Sequence, residues 1–438
     1  MAFTKKFVFL AINFIFMTWI MFSTTDFALG SMGAKFKYVF ILFCLLDIVT
    51  RKKMPCRWNV LAVFALLTLH TLLWRYVFVN YTVLSWTMEH TKTMLLYLVV
   101  FFCAAMEVIH YECVEEYAVS SGVGLLLVLV VQVFTHTDQL ILNPVLALHS
   151  FFQHDIMRAS FGFMNTNFAG NSCFLTLCMM FMVFLYHSQN KLFNSRVKIR
   201  IMIATIFIFY IMLSLSSRTP MICAAAFVCG SMIIRIGEKY NFTDDSSRIL
   251  KRTATGFLLG FLGFALVTDL WGQIWDSSNR SLNVTENVHW IPILGTIWTG
   301  MGFVDNSAFI TNEANNWISA FGVYTSSLDM NYLYLYCTTG RLGVAMYVIV
   351  LVIIGVSLFL NRKQKYGLNY LVIYGVILFY AIWETVLFTP RFWAMMVPYV
   401  ILLYGANNMQ TKTADGKSTG SVHEQAAKRK ADGRQYNS

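Results

Sequence analysis

The residues best suited to chemistry are arginines and carboxylates gathered beside the ends of long apolar runs. Arg218 closes the stretch Leu213-Ser214-Leu215-Ser216-Ser217-Arg218-Thr219-Pro220. Thr219 is a fit N-cap and Pro220 a fit first helical residue, so free backbone N–H groups and the positive end of a helix dipole should lie beside the guanidinium. That combination binds anions; the competing reading is an arginine reaching lipid phosphates. Arg158 opens a second stretch, Arg158-Ala159-Ser160-Phe161-Gly162-Phe163-Met164-Asn165-Thr166-Asn167-Phe168-Ala169, in which Asn165, Thr166 or Asn167 can cap the helix that follows. Glu384 lies near the end of another run with Arg391 across the next turn, so the two either pair or line a site. The longest polar block, Gln273 to Asn331, carries Asp276, Arg280, Glu286, His289, Asp305, Glu313 and Asp329. A block so charged cannot lie in hydrocarbon.

These groups need a frame, and composition says what kind. Hydrophobic residues make up 57% of the 438 and charged residues 13%, with 38 Phe and a mean hydropathy of +0.60. Too little polar surface remains to cover a soluble core of this size. With roughly 20 apolar residues per helical span, the runs predict about twelve spans: 7–23, 36–50, 58–79, 93–110, 118–135, 164–187, 201–216, 220–236, 253–270, 332–360, 368–386 and 392–406. The expected fold is an all-α integral membrane protein. Spans one to nine fill residues 1–270, one large extracytoplasmic loop fills 271–331, spans ten to twelve fill 332–406, and 407–438 is a polar, basic cytoplasmic tail without structure. The apolar residues between Thr135 and Asn165 are too few to cross a bilayer and predict a short interfacial or re-entrant helix.

Charge orients the frame. With the N-terminus in the cytoplasm, the inner segments hold 24 of the 33 Lys and Arg, which agrees with the positive-inside rule and places both termini in the cytoplasm. The net charge of +11 is dispersed over short inner loops, which suits anionic lipid headgroups and not nucleic acid. Asp47, Glu107 and His110 fall near inner ends and read as structural, as does His70 in the third span. The nine Cys avoid the large loop, so no disulfide framework is expected. Neither a P-loop nor an HExxH or paired CxxC occurs, against an ATP-driven pump and a zinc hydrolase.

In their order along the chain, four pieces resemble the bacterial O-antigen polymerase and O-antigen ligase superfamily, multi-spanning glycosyltransferases of the Wzy type. Arg158 to Ala169 resembles its Arg-x-x-G-x-x-x-N-x-N-x-x-A element, with Thr166 in the usual proline place. Ser216-Ser217-Arg218 resembles its Ser-Arg motif. Asn279-Arg280 with Gly300-Met301-Gly302 is similar to the Arg and Gly-x-Gly of the family's external loop. Asp329-Met330-Asn331-Tyr332-Leu333 with Gly340-Arg341-Leu342-Gly343 resembles the loop exit, where ligases carry His in place of Asp329.

The resemblance implies a GT-C-like architecture in the bacterial cytoplasmic membrane. It implies polyprenyl-diphosphate-linked oligosaccharides as donor and acceptor, no cofactor or metal, and a chain-length regulator and a flippase as partners. Arg218 and Arg280, helped by Arg158, would then hold the diphosphate. Asp329, with Glu384 as substitute, would take the acceptor's proton; the other reading of Asp329 is a helix N-cap. Asn167 and Asn331 would contact substrate, Asn167 also reading as a cap or brace. Asp329 in the ligase histidine's place favours polymerisation over ligation. A lipid-linked oligosaccharide flippase is the rival from another class, and the absence of a clear internal duplication argues against it.

Overall fold

The computed structural model describes residues 2–51, 56–78, 84–152, 159–189, 195–215, 217–239, 296–300, 330–364, 366–384, 386–388 and 392–407. Among them there is no strand ladder, and the helices are α1 (Ala2–Phe22), α2 (Gly33–Val49), α3 (Trp58–Tyr76), α4 (Leu84–Tyr111), α5 (Val114–Thr135), α6 (Pro144–Phe152), α7 (Thr166–Gln189), α8 (Ser195–Ser214), α9 (Arg218–Lys239), α10 (Asn331–Leu360), α11 (Gly367–Trp383) and α12 (Met396–Asn407). Seven of the described helices are long and apolar enough to cross a membrane, so the chain is an all-α, multi-pass membrane protein. The nine-residue α6 is the short helix expected between Thr135 and Asn165. The expected span 253–270, most of the loop 271–331 and the tail after Asn407 lie outside the described residues.

Helices α1, α5, α7 and α9 pack in succession, α2 and α4 close one flank, and α3, α10, α11 and α12 form the other. Contacts sort into two ends. At one end Lys5 reaches Asp47 at 2.6 Å, Lys6 reaches Glu116 at 2.6 Å, and Arg51 reaches both Asp47 and Glu107 at 2.5 Å. Asn59 and Asn361 tie α3 and α10 to the last carbonyls of α12 at the same end. At the other end Asp26 N–H donates to the Gly162 carbonyl, and His136 Nε2 pairs with Asp26 at 3.0 Å. Asp47, Glu107 and Arg51 are thus one buried network and not separate interfacial groups. Burial opposes the Arg51 charge; the hydrogen bond to Asp47 and the Glu107 carboxylate more than offset it, and the guanidinium holds its proton more firmly than usual. Arg51→Met would leave two carboxylates buried without their cation, and we expect it to destabilise the bundle by about 3 kcal/mol, read as a lower thermal midpoint in detergent.

Two expected spans take other forms. The run 392–406 forms a 3-10 turn, Trp393–Met395, and then α12 of only 12 residues, about 18 Å of helix against a hydrocarbon core of about 30 Å. Above it the chain leaves α11 in extended conformation at Glu384 and passes through Phe388 at φ 44°. This irregular backbone is tolerated because it is buried and satisfied by side chains: Leu387 N–H donates to Asn331 Oδ1 at 2.8 Å, and Tyr399 O–H donates to the Val386 carbonyl at 2.7 Å. The other departure is α10, whose 30 residues are interrupted by Gly340 at φ 62°, ψ −165°, a conformation open essentially to glycine alone.

Candidate functional site

The end opposite the Lys5–Arg51 network gathers the ends of α7, α9 and α11. Asn165 is the N-cap of α7, accepting the Phe168 N–H at 2.8 Å, which leaves Asn167 half-buried in the first turn. One turn further, Gly170 lets α9 approach: a Cβ there would stand 2.2 Å from Ser217 Oγ. This close approach lies at the start of α9. Its first residue is Arg218, so Ser217 takes the cap position expected of Thr219, and Pro220 is the third helical residue, still within the turn whose N–H groups have no intrahelical acceptor. Arg218 is half-buried and leaves the helix at its positive pole.

Helix α11 packs along α9 and delivers two polar side chains to the same end. Tyr380, buried, donates its hydroxyl to Asn171 Oδ1 of α7. Glu384, 7% exposed, lies within electrostatic reach of Cys223, five residues along α9 from Arg218. An arginine at a helix N-terminus and a buried carboxylate therefore occupy the adjoining ends of two packed helices. The first can hold an anion and the second can accept a proton.

Helix α10 braces this end. Its N-cap is Met330, without a side-chain cap bond, so the capping role considered for Asp329 falls one residue away. Asn331 is 1% exposed and spends its carbonyl oxygen on Leu387, while its Nδ2 is buried with no hydrogen-bond partner among the described residues. Tyr332 O–H donates to the Leu378 carbonyl of α11 at 3.0 Å.

Residues 296–300, within the block expected to form the large loop, touch the helical frame at a defined place. Thr296–Gly300 closes as a reverse turn, Gly300 N–H donating to the Thr296 carbonyl at 2.7 Å, and it seats on the kink of α10. The break at Gly340 deprives Arg341 and Leu342 of ordinary helical acceptors, and their N–H groups donate to the Ile297 and Trp298 carbonyls, each at 3.0 Å. Trp74 of α3 donates its indole N–H to the Thr299 carbonyl at 2.7 Å, and the Arg341 guanidinium stacks over Trp298 at 5.4 Å. Gly300 and Gly340, from two separate motifs of the sequence, are in backbone contact: a Cβ on either would stand 2.6 Å from the backbone nitrogen of the other.

Of the expected site residues, Arg218 and Glu384 share one end of the α9–α11 pair, Asn167 opens the helix that packs on α9, and Asn331 braces the turn after Glu384. Arg158, Arg280 and Asp329 lie outside the described residues. Asn171 and Tyr380 were not anticipated; the Asn167–Asn171 spacing of four on an apolar helix was the available signal. No protein-family model matches the chain, and no curated protein matches it.

Proposed function

We propose that this protein is a membrane glycosyltransferase of the bacterial cytoplasmic membrane, with both termini in the cytoplasm. It polymerises polyprenyl-diphosphate-linked oligosaccharide repeat units into O-antigen, capsular or exopolysaccharide at the outer face. The observation that carries this reading is the convergence of Arg218, at the start of α9, and the buried Glu384 on the end opposite the Lys5–Arg51 network. The contact of Gly300 with Gly340 supports it, since it joins two of the elements that resemble the superfamily.

The chemistry follows from the groups at that end. An acceptor sugar hydroxyl attacks the anomeric carbon of the donor, a new C–O bond forms, and the anomeric C–O bond to phosphate breaks with inversion. The polyprenyl diphosphate leaves with the electron pair, and the hydroxyl proton passes to a carboxylate, Asp329 or else Glu384. Arg218, joined by Arg280 and Arg158, neutralises the charge that grows on the leaving group. No nucleotide is consumed, because the donor carries its own leaving group.

The broken α10 and short α12 favour one alternative, a lipid-linked oligosaccharide flippase, since interrupted helices are common in transporters. Ligation of finished glycan to a carrier is the alternative within the enzyme class. A deletion strain separates the three. Polymerisation predicts surface glycan reduced to single repeat units on outward-facing carriers, restored to a ladder by the wild-type gene. Long polymer left unattached would indicate ligation, and carriers held on the cytoplasmic leaflet would indicate a flippase.

A further inference from the structure

Joining two carrier-linked units requires two anionic head groups to be held at once, and the Arg218 end accounts for one. A second cation stands half-buried in the frame. Lys37 lies on the stripe of α2 formed with Phe40, Cys44 and Asp47, the stripe that faces the bundle, whereas Tyr38, Leu42, Leu45, Leu46 and Val49 are exposed on the opposite face. Lys37 stands ten residues, about 15 Å, along α2 from the Asp47 network, and unlike Lys5, Lys6 and Arg51 it forms no ion pair among the described residues.

What Lys37 faces is equally unusual. Its ammonium is 4.7 Å from the ring centroid of Trp393, in the 3-10 turn that starts the short α12. The N-terminal turn of α12 carries the positive pole of that helix. Tyr97 meets Trp393 edge-on at 5.5 Å and keeps a fully buried hydroxyl without a hydrogen-bond partner among the described residues. The turn is also joined to the candidate site, since Phe392 packs on Phe168 at 5.5 Å, next to Asn167. A cation, a helix N-terminus and a spare hydroxyl at one place, with no anion paired to the cation among the described residues, suit a ligand that brings negative charge into an apolar setting.

We propose that Lys37, Trp393 and the N-terminal turn of α12 form a second anion-binding point, which holds the diphosphate of the second polyprenyl carrier. The assignment rests on the glycosyltransferase reading and specifies its substrates: two lipid diphosphates bound simultaneously, one at Arg218 and one at Lys37.

The test is the stoichiometry of farnesyl diphosphate binding to the full-length protein in phosphatidylcholine nanodiscs. Wild type should bind two molecules, and Lys37→Met one. Lys37→Arg should keep both, and Arg218→Ala should lose the other site. Lys37→Met removes a half-buried charge that forms no ion pair among the described residues, so its thermal midpoint should be unchanged or higher; a lower midpoint with both molecules still bound would make Lys37 structural and overturn the assignment. Two molecules bound by Lys37→Met and one by Arg218→Ala would overturn the Lys37 site while leaving the glycosyltransferase reading intact. No binding by wild type would remove both. Displacement of the Lys37-dependent molecule by inorganic pyrophosphate or by phosphatidylglycerol at equal concentration would show a site for free or headgroup phosphate, and would also overturn it.

Discussion

Arg218→Ala should reduce kcat for chain extension about 100-fold or more while the protein still accumulates in the membrane, the magnitude expected when one preorganised donor to a developing oxyanion is removed. The reason lies in its position. Arg218 is the first residue of α9, half-buried where α9 seats on Gly170 of α7 and α11 brings Glu384. The charge it would meet grows only as the anomeric bond breaks, so the loss belongs in kcat more than in KM. Arg218→Lys keeps the charge but loses the planar fork that contacts two phosphate oxygens, and should fall between wild type and alanine. Single-turnover assays with lipid-linked repeat units give the rates directly. A wild-type rate for Arg218→Ala would leave α9's arginine with only a lipid-facing role.

Gly340→Ala should be the most damaging conservative substitution in the described part of the chain, lowering stability by about 3 kcal/mol or more. Two costs add. The backbone at φ 62°, ψ −165° is strained for any residue with a Cβ, and the new methyl would stand 2.5 Å from the Trp298 carbonyl. The turn Thr296–Gly300 would have to leave the kink, stranding the N–H groups of Arg341 and Leu342 and the indole N–H of Trp74. Gly300→Ala, at φ 72° with a Cβ 2.6 Å from Thr339 N, should act in the same direction. Gly375→Ala in α11 is the control: nothing lies within 4 Å of the added methyl, and the change should be neutral or stabilise by about 0.5 kcal/mol. Thermal midpoints in detergent rank the three, and protease cleavage within 301–329 should accelerate in the first two alone. Equal midpoints for Gly340→Ala and Gly375→Ala would mean that the loop is not held by the kink.

Much of the frame was legible because hydropathy and helix caps are local signals. Asn165 caps α7 as its place before an apolar run implies. The start of α9 lies two residues before the expected one: Ser217 and Thr219 are both cap-forming types, and Ser217, which lies against Gly170 of α7, takes the position before the first helical residue. The same limit hid the buried network: Asp47 and Glu107 each read as a structural residue near an inner end, and only the packing of α2 on α4 shows that they share one site with Arg51. Residues 392–406 read as a full span because hydropathy does not separate a spanning helix from a short one that follows irregular backbone buried by protein. The bonds that permit the irregular stretch, from Asn331 and Tyr399, come from outside it or from farther along the chain. Gly340 illustrates the opposite case. A glycine inside an apolar helix is ordinary by sequence, and its importance depends on a turn forty residues earlier that docks against it.

The most direct measurement reconstitutes the purified protein in phosphatidylcholine vesicles with lipid-linked repeat units as the only sugar source, without nucleotide or metal. Polymerisation at the Arg218 end predicts a ladder of lengthening glycan with one polyprenyl diphosphate released per linkage formed, both lost together in Arg218→Ala. Repeat units that cross the bilayer without lengthening, or that lengthen equally well in Arg218→Ala, would contradict it.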